Sequence, residues 1–109
     1  MSYFVQEVYG IPGGFETLTV ADTAIGITAT LLAPTTGDNA GQLPQLVYLG
    51  PLETAQIRYH LNGTTPTAGV GHVLEFGQVL VLRGTGAIRG FRAIRTGATS
   101  GSLPVTVFF

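Results

Sequence analysis

Ala55-Gln56-Ile57-Arg58-Tyr59-His60-Leu61, followed by Asn62-Gly63-Thr64-Thr65-Pro66-Thr67 and then His72-Val73-Leu74-Glu75-Phe76, is the stretch from which the fold is read. In its first seven residues every second position is apolar. Ala55, Ile57, Tyr59 and Leu61 therefore share one face, and Gln56, Arg58 and His60 share the other, the pattern of a half-buried β-strand. Asn62-Gly63 tolerates positive φ and Pro66 fixes a further bend, so the chain turns before a second strand begins near His72.

Outward from this unit, most of the chain has the same character. Phe15 to Val20 alternates, Ala24 to Ala33 is a β-rich run, and Gln45 to Leu49 and Thr54 to Leu61 are β-runs joined by Gly50-Pro51-Leu52-Glu53. That junction predicts a hairpin. A helix through Ala24 to Leu32 would have to hold Gly26, Thr28 and Thr30, all poor helix formers, so a strand is expected there. Tyr3 to Tyr9 reads as a further strand, and Gly10-Ile11-Pro12-Gly13-Gly14 as its end. Gln78 to Leu82 is apolar on both faces apart from Gln78, which predicts a strand covered on both sides or lying in a subunit contact.

Ile88 to Arg95 breaks strict alternation. A β-bulge near Gly90 would bring Ile88, Phe91 and Ile94 toward one apolar surface. Leu103 to Phe109 forms a last strand, with Pro104 placing it at an edge or near a strand start. Eight or nine short strands, no helix and turn signals every 8 to 12 residues together predict an all-β fold, an antiparallel β-sandwich or jelly roll in one domain spanning 1–109.

A chain of 109 residues buries roughly two-thirds of its unfolded surface and needs no disulfide staple; it has no Cys. Charged residues are 10% of it, against about 25% in an ordinary soluble domain, while 45% are hydrophobic and the mean hydropathy is +0.39. The surface must then expose neutral polar and apolar groups. This fits a component of an assembly, or a monomer covered in Thr, Gly, Ser and Gln. Charge is also segregated: residues 1–57 hold five acids and no base, −5, whereas residues 58–109 hold five arginines against Glu75 alone, +4. Opposite faces of such a module can meet copies of itself or a neighbour, unless the charges simply dot the strand edges.

Several function classes find no support. A net charge of −1 without clustered basic residues does not suit nucleic-acid binding. No apolar run is long enough to span a membrane and no secretory signal is present, so no membrane partner or export by that route is expected. His60 and His72 have only Glu75 as a nearby acid, which matches no metal motif, and no cofactor is expected. The three serines lie in no nucleophile elbow, the acids form no assignable pair, and Asn62-Gly63-Thr64 is an accidental sequon. An enzyme is therefore not expected. Tyr3, Tyr9, Tyr48 and Tyr59 leave open a sugar-stacking platform, although packing is the commoner use of such residues.

The strand Ala55 to Leu61 ending in Asn62-Gly63-Thr64-Thr65-Pro66-Thr67, then Gly71-His72-Val73-Leu74, the Gly77 turn, apolar Val79 to Leu82, the block Phe91-Arg92-Ala93-Ile94-Arg95 and a β C-terminus together resemble small virion proteins of tailed bacteriophages. The resemblance covers about half the chain. It implies a capsid decoration (cement) protein: a small β-rich domain, made in the host cytoplasm, that sits on the head shell, often as a homotrimer, and partners itself and the major capsid protein. A head-tail joint or fibre-base role, and a carbohydrate-binding β-sandwich, remain as alternatives. On this reading the expected subunit contacts are Val79, Leu80, Val81 and Leu82, with Phe4 at one end of the chain and Val107, Phe108 and Phe109 at the other. Arg89, Arg92 and Arg95 are expected as rim anchors.

Overall fold

A computed structural model of the protein describes residues 12–37 and 39–109. In chain order its elements are β1 (Pro12–Val20), α1 (Ala29–Leu32), β2 (Leu46–Leu49), β3 (Ile57–His60), β4 (His72–Leu74), β5 (Leu80–Arg83), α2 (Thr85–Gly90), β6 (Arg92–Arg95) and β7 (Gly101–Phe108). They form two antiparallel sheets, one of order β1-β7-β2-β5 and one of order β4-β3-β6, packed as a sandwich. The strand expected at Tyr3 to Tyr9 lies outside the described residues.

The core is the alternating inner face of each sheet. Leu18, Leu103, Val105, Val47, Leu49 and Leu82 come from the larger sheet, and Ile57, Leu74 and Ala93 from the smaller. Leu52, Ile88 and Phe91, from the connections, fill the space between, and all three are fully buried. Burying each such side chain contributes about 1.5–3 kcal/mol, and no polar or charged residue among those described is buried with them.

The segment Gly50-Pro51-Leu52-Glu53 does not close a hairpin. β2 and β3 belong to different sheets, and the chain between them crosses the sandwich, with Leu52 pointing into the core and its backbone N–H bonded to Gln78 O at 2.9 Å. An apolar residue in a polar-looking turn was the signal: leaving Leu52 in solvent would forfeit its burial.

Two short helices replace expected β structure. The run Ala24 to Ala33 reduces to a bridge of Ile25 with Ala93 and then α1, tied to β1 because Glu16 accepts hydrogen bonds from Thr28 N (2.8 Å) and Thr28 Oγ1 (2.5 Å). Ile88 and Phe91 do reach one apolar surface, but through the turn of α2 rather than a bulge, while Ile94 lies half-exposed opposite Arg58. Their spacing of three is the helical one.

Pro12 to Gly14 likewise does not end a strand. β1 already pairs at Pro12, with a register shift between Pro12 and Phe15. A Cβ on Gly13 would collide with the Phe109 ring and one on Gly14 with Leu31, so the glycine pair admits both side chains to the bulge.

Pro104 sits inside β7, a central strand, yet costs no ladder bond to β1. Its carbonyl accepts from Gly50 N at 2.8 Å, so its missing N–H faces the same side, where β2 has already ended at Leu49.

Gly90 is packed against backbone. An added Cβ would lie 2.8 Å from Leu61 C and 3.1 Å from Gly63 N, groups that cannot rotate away, and Gly90 O accepts from Gly63 N at 2.9 Å. Gly90→Ala is expected to lower stability by about 1–3 kcal/mol in urea titrations, by forcing α2 away from the end of β3.

Candidate contact surface

The outward face of the larger sheet concentrates exposed apolar groups in register. Phe15 on β1 lies opposite Thr106 on β7, Thr106 opposite Tyr48 on β2, and Tyr48 opposite Val81 on β5, so one row crosses all four strands. Three strand spacings of about 4.8 Å make this row about 15 Å wide. Phe15 is 80% exposed and Val81 37%, and Val79 is exposed just before β5 begins.

The neighbouring positions are Thr17 and Thr19 on β1 and Ser102 and Pro104 on β7. Arg83, at the end of β5, is the one charged side chain among the described residues of this face. At the same end Leu46 and Phe108, opposite one another, are buried although they point away from the main core. The Tyr48 ring meets Phe108 edge-on at 5.8 Å, an arrangement that fixes the tyrosine within the row. A nearly uncharged surface of this kind loses little by desolvation when another protein covers it.

The residues expected at subunit contacts separate by strand parity. Val79 and Val81 are on this outer face. Leu82 is buried opposite Val47, and Leu80 packs partly against the core. The expectation that Gln78 to Leu82 is covered on both sides is thus corrected: β5 is an edge strand with one core face and one open face. Val107 and Phe109 are also in the core, and Phe108 in the Leu46 cluster, so these three are occupied within the chain. Phe4 lies outside the described residues.

Arg89 is exposed on α2. Arg92 is half-buried, its Nη1 donating to Phe91 O at 2.7 Å and Arg89 O at 3.1 Å, and Arg95 Nη1 reaches Ser100 Oγ at 3.4 Å. Phe15, Tyr48 and Thr106 were not singled out from the sequence. Their parity was readable there, but the register that aligns them spans ninety residues.

The other candidate chemistry turns to structural use. The His60 and His72 rings stand 6.0 Å apart, and among the described residues no group of three His, Cys, Asp or Glu comes together. Tyr59 packs on Phe91 (6.0 Å) and His72 (5.5 Å), which occupies it away from a sugar platform. Asn62 Oδ1 accepts from Thr64 N at 3.1 Å, so the sequon forms an Asx-turn. Arg58 donates to Ala68 O and Gly71 O, clamping the loop between β3 and β4. No described helix is long and apolar enough to cross a membrane. Compared with protein families, with curated proteins and with solved structures, the chain matches none.

Proposed function

We propose that this protein is a non-enzymatic structural component of a tailed-phage virion, a capsid decoration protein that binds the outer head shell through the open face of its larger sheet. The row Phe15, Thr106, Tyr48 and Val81 carries the proposal, because a row with exposed Phe15 and Val81 at its two ends, neutral residues between and around them and a single charge beside it suits burial against another protein. The resemblance of the chain from Ala55 onward supports the virion setting. Many copies, each adding a modest contact, reinforce a shell through effective concentration.

Purified protein added to heads that lack it is expected to co-sediment with them at hundreds of copies per head. Phe15→Asp and Val81→Asp, both folded, are expected to lose that binding. Saturation at about six or twelve copies would place the protein in a joint ring instead, and undiminished binding of both variants would overturn the assignment of the face.

A further inference from the structure

An exposed turn follows β4 at one end of the smaller sheet, and a recess lies beside the start of β6 near the other. The turn is Glu75-Phe76-Gly77-Gln78. Phe76 is 70% exposed, and the backbone around it is held rigidly: Gln78 N donates to Glu75 O (3.0 Å), Gly77 N to Leu52 O (2.8 Å), and Leu52 N to Gln78 O (2.9 Å). The Gln78 side chain accepts from Glu75 N at 2.8 Å, and Gln56 Nε2 donates to the Glu75 carboxylate. An aromatic ring on a turn with this many fixed bonds loses little freedom on docking.

The recess, of about 240 Å³, is walled by Ile27, Ala29, Leu32 and Ala33, with Arg89 and Arg92 beside them. That volume falls below the roughly 300–1,000 Å³ usual for free small-molecule ligands and suits a single side chain. Arg92 is pre-positioned by its bonds to Phe91 O and Arg89 O and by Gly26, where a Cβ would come within 2.5 Å of Nη1. Arg89 is exposed on the last turn of α2, available to a carboxylate.

These features cannot meet within one chain. Leu74, the residue before the turn, pairs with Ile57 at the start of β3, whereas Arg92, at the recess, pairs with His60 at its end. We infer that the Phe76 turn of one copy seats in the Ile27–Arg92 recess of the next, with Glu75 against the two guanidiniums. The contact is head-to-tail, so it propagates around a ring, or along a filament where the rotation does not close. It sets the Glu75 carboxylate of one copy against Arg89 and Arg92 of its neighbour, and it adds a self-contact to the proposed function without using Phe15, Thr106, Tyr48 or Val81 of the shell-binding row.

The test is the solution mass, by light scattering and sedimentation, of wild type, Phe76→Ala and Arg89→Glu, each checked for fold by circular dichroism. Wild type is expected to be oligomeric at micromolar concentration, with each variant weakened about 30-fold or more in self-association and monomeric there. Mixing the two variants is expected to restore a dimer and nothing larger, since the mixed pair retains one intact turn and one intact recess. A wild type that stays monomeric at on the order of 100 μM, an assembly unchanged in both variants, or a mixture that stays monomeric overturns the inference. Monomers that still coat heads, and lose this on Val81→Asp, would overturn it while leaving the proposed function standing; variant-sensitive oligomers that ignore heads would do the reverse.

Discussion

Leu82→Asp is expected to leave the protein unfolded, whereas Val81→Asp, one residue earlier, leaves it folded. Leu82 is 4% exposed, opposite Val47, and faces the core of both sheets. The substitution removes an aliphatic side chain, at about 2–5 kcal/mol, and puts a carboxylate where no described charged or polar residue is buried to meet it, at several kcal/mol more. A chain of this length has about 5–15 kcal/mol in total, so the sum exhausts it. Val81 points the other way, and its aspartate remains in water; the cost there is within about 1 kcal/mol, set by lost contact with Tyr48 across the strands. Far-UV circular dichroism and urea titration check both. A folded Leu82→Asp would mean that β5 is not oriented as described.

Phe91→Ala is expected to cost about 3–5 kcal/mol, lowering the urea midpoint by roughly 2 M for the slope usual in small domains. Phe91 is fully buried between α2 and β6 and packs against the Tyr59 ring at 6.0 Å. Ile88, Ile57 and Ala93, which belong to the same buried cluster, are anchored in separate elements, so they cannot all move in to fill the void. Phe91→Leu, which retains most of the volume, is expected to recover more than half of the loss. A midpoint unmoved by Phe91→Ala would show that the connection between α2 and β6 is not part of the core.

How far the fold can be read from the sequence differs from segment to segment. Where a strand has one wet and one dry face, as in Ile57 to His60, alternation reveals both the element and its orientation, whereas in the last strand it marks Leu103 to Phe108 as β but neither the start at Gly101 nor the central place in the sheet. The reading failed where an apolar run has no polar partner to break the symmetry. Val79 to Leu82 offers four consecutive aliphatic residues, and period two is invisible in it; only pairing with β2 decides that Leu80 and Leu82 go in and Val79 and Val81 out. It failed again in connections that carry core residues. Leu52 and Ile88 lie among glycine, proline and threonine, where composition signals a turn, yet each supplies a fully buried side chain. The C-terminal Val107-Phe108-Phe109, expected at subunit contacts, is buried within the chain; the sequence does not say how much core the sandwich has room for.

The candidate surface shows the same limit more sharply. Phe15 and Val81 are each an unremarkable strand residue, and Phe76 lies next to a glycine turn with nothing local to mark it as exposed. The sequence by itself determined an all-β chain of short strands, the two faces of the strands that alternate, the scarcity of charge and its division between the two halves. Those are local or additive properties, set by side-chain period and composition. Only the tertiary structure decided which strands share a sheet, that β1 closes against β7 from the far end of the chain, and therefore which residues form the open row and which ends of the smaller sheet carry the Phe76 turn and the arginine recess. Register and sheet membership depend on how two amphipathic surfaces jointly exclude water, and that balance is struck between residues far apart in the chain.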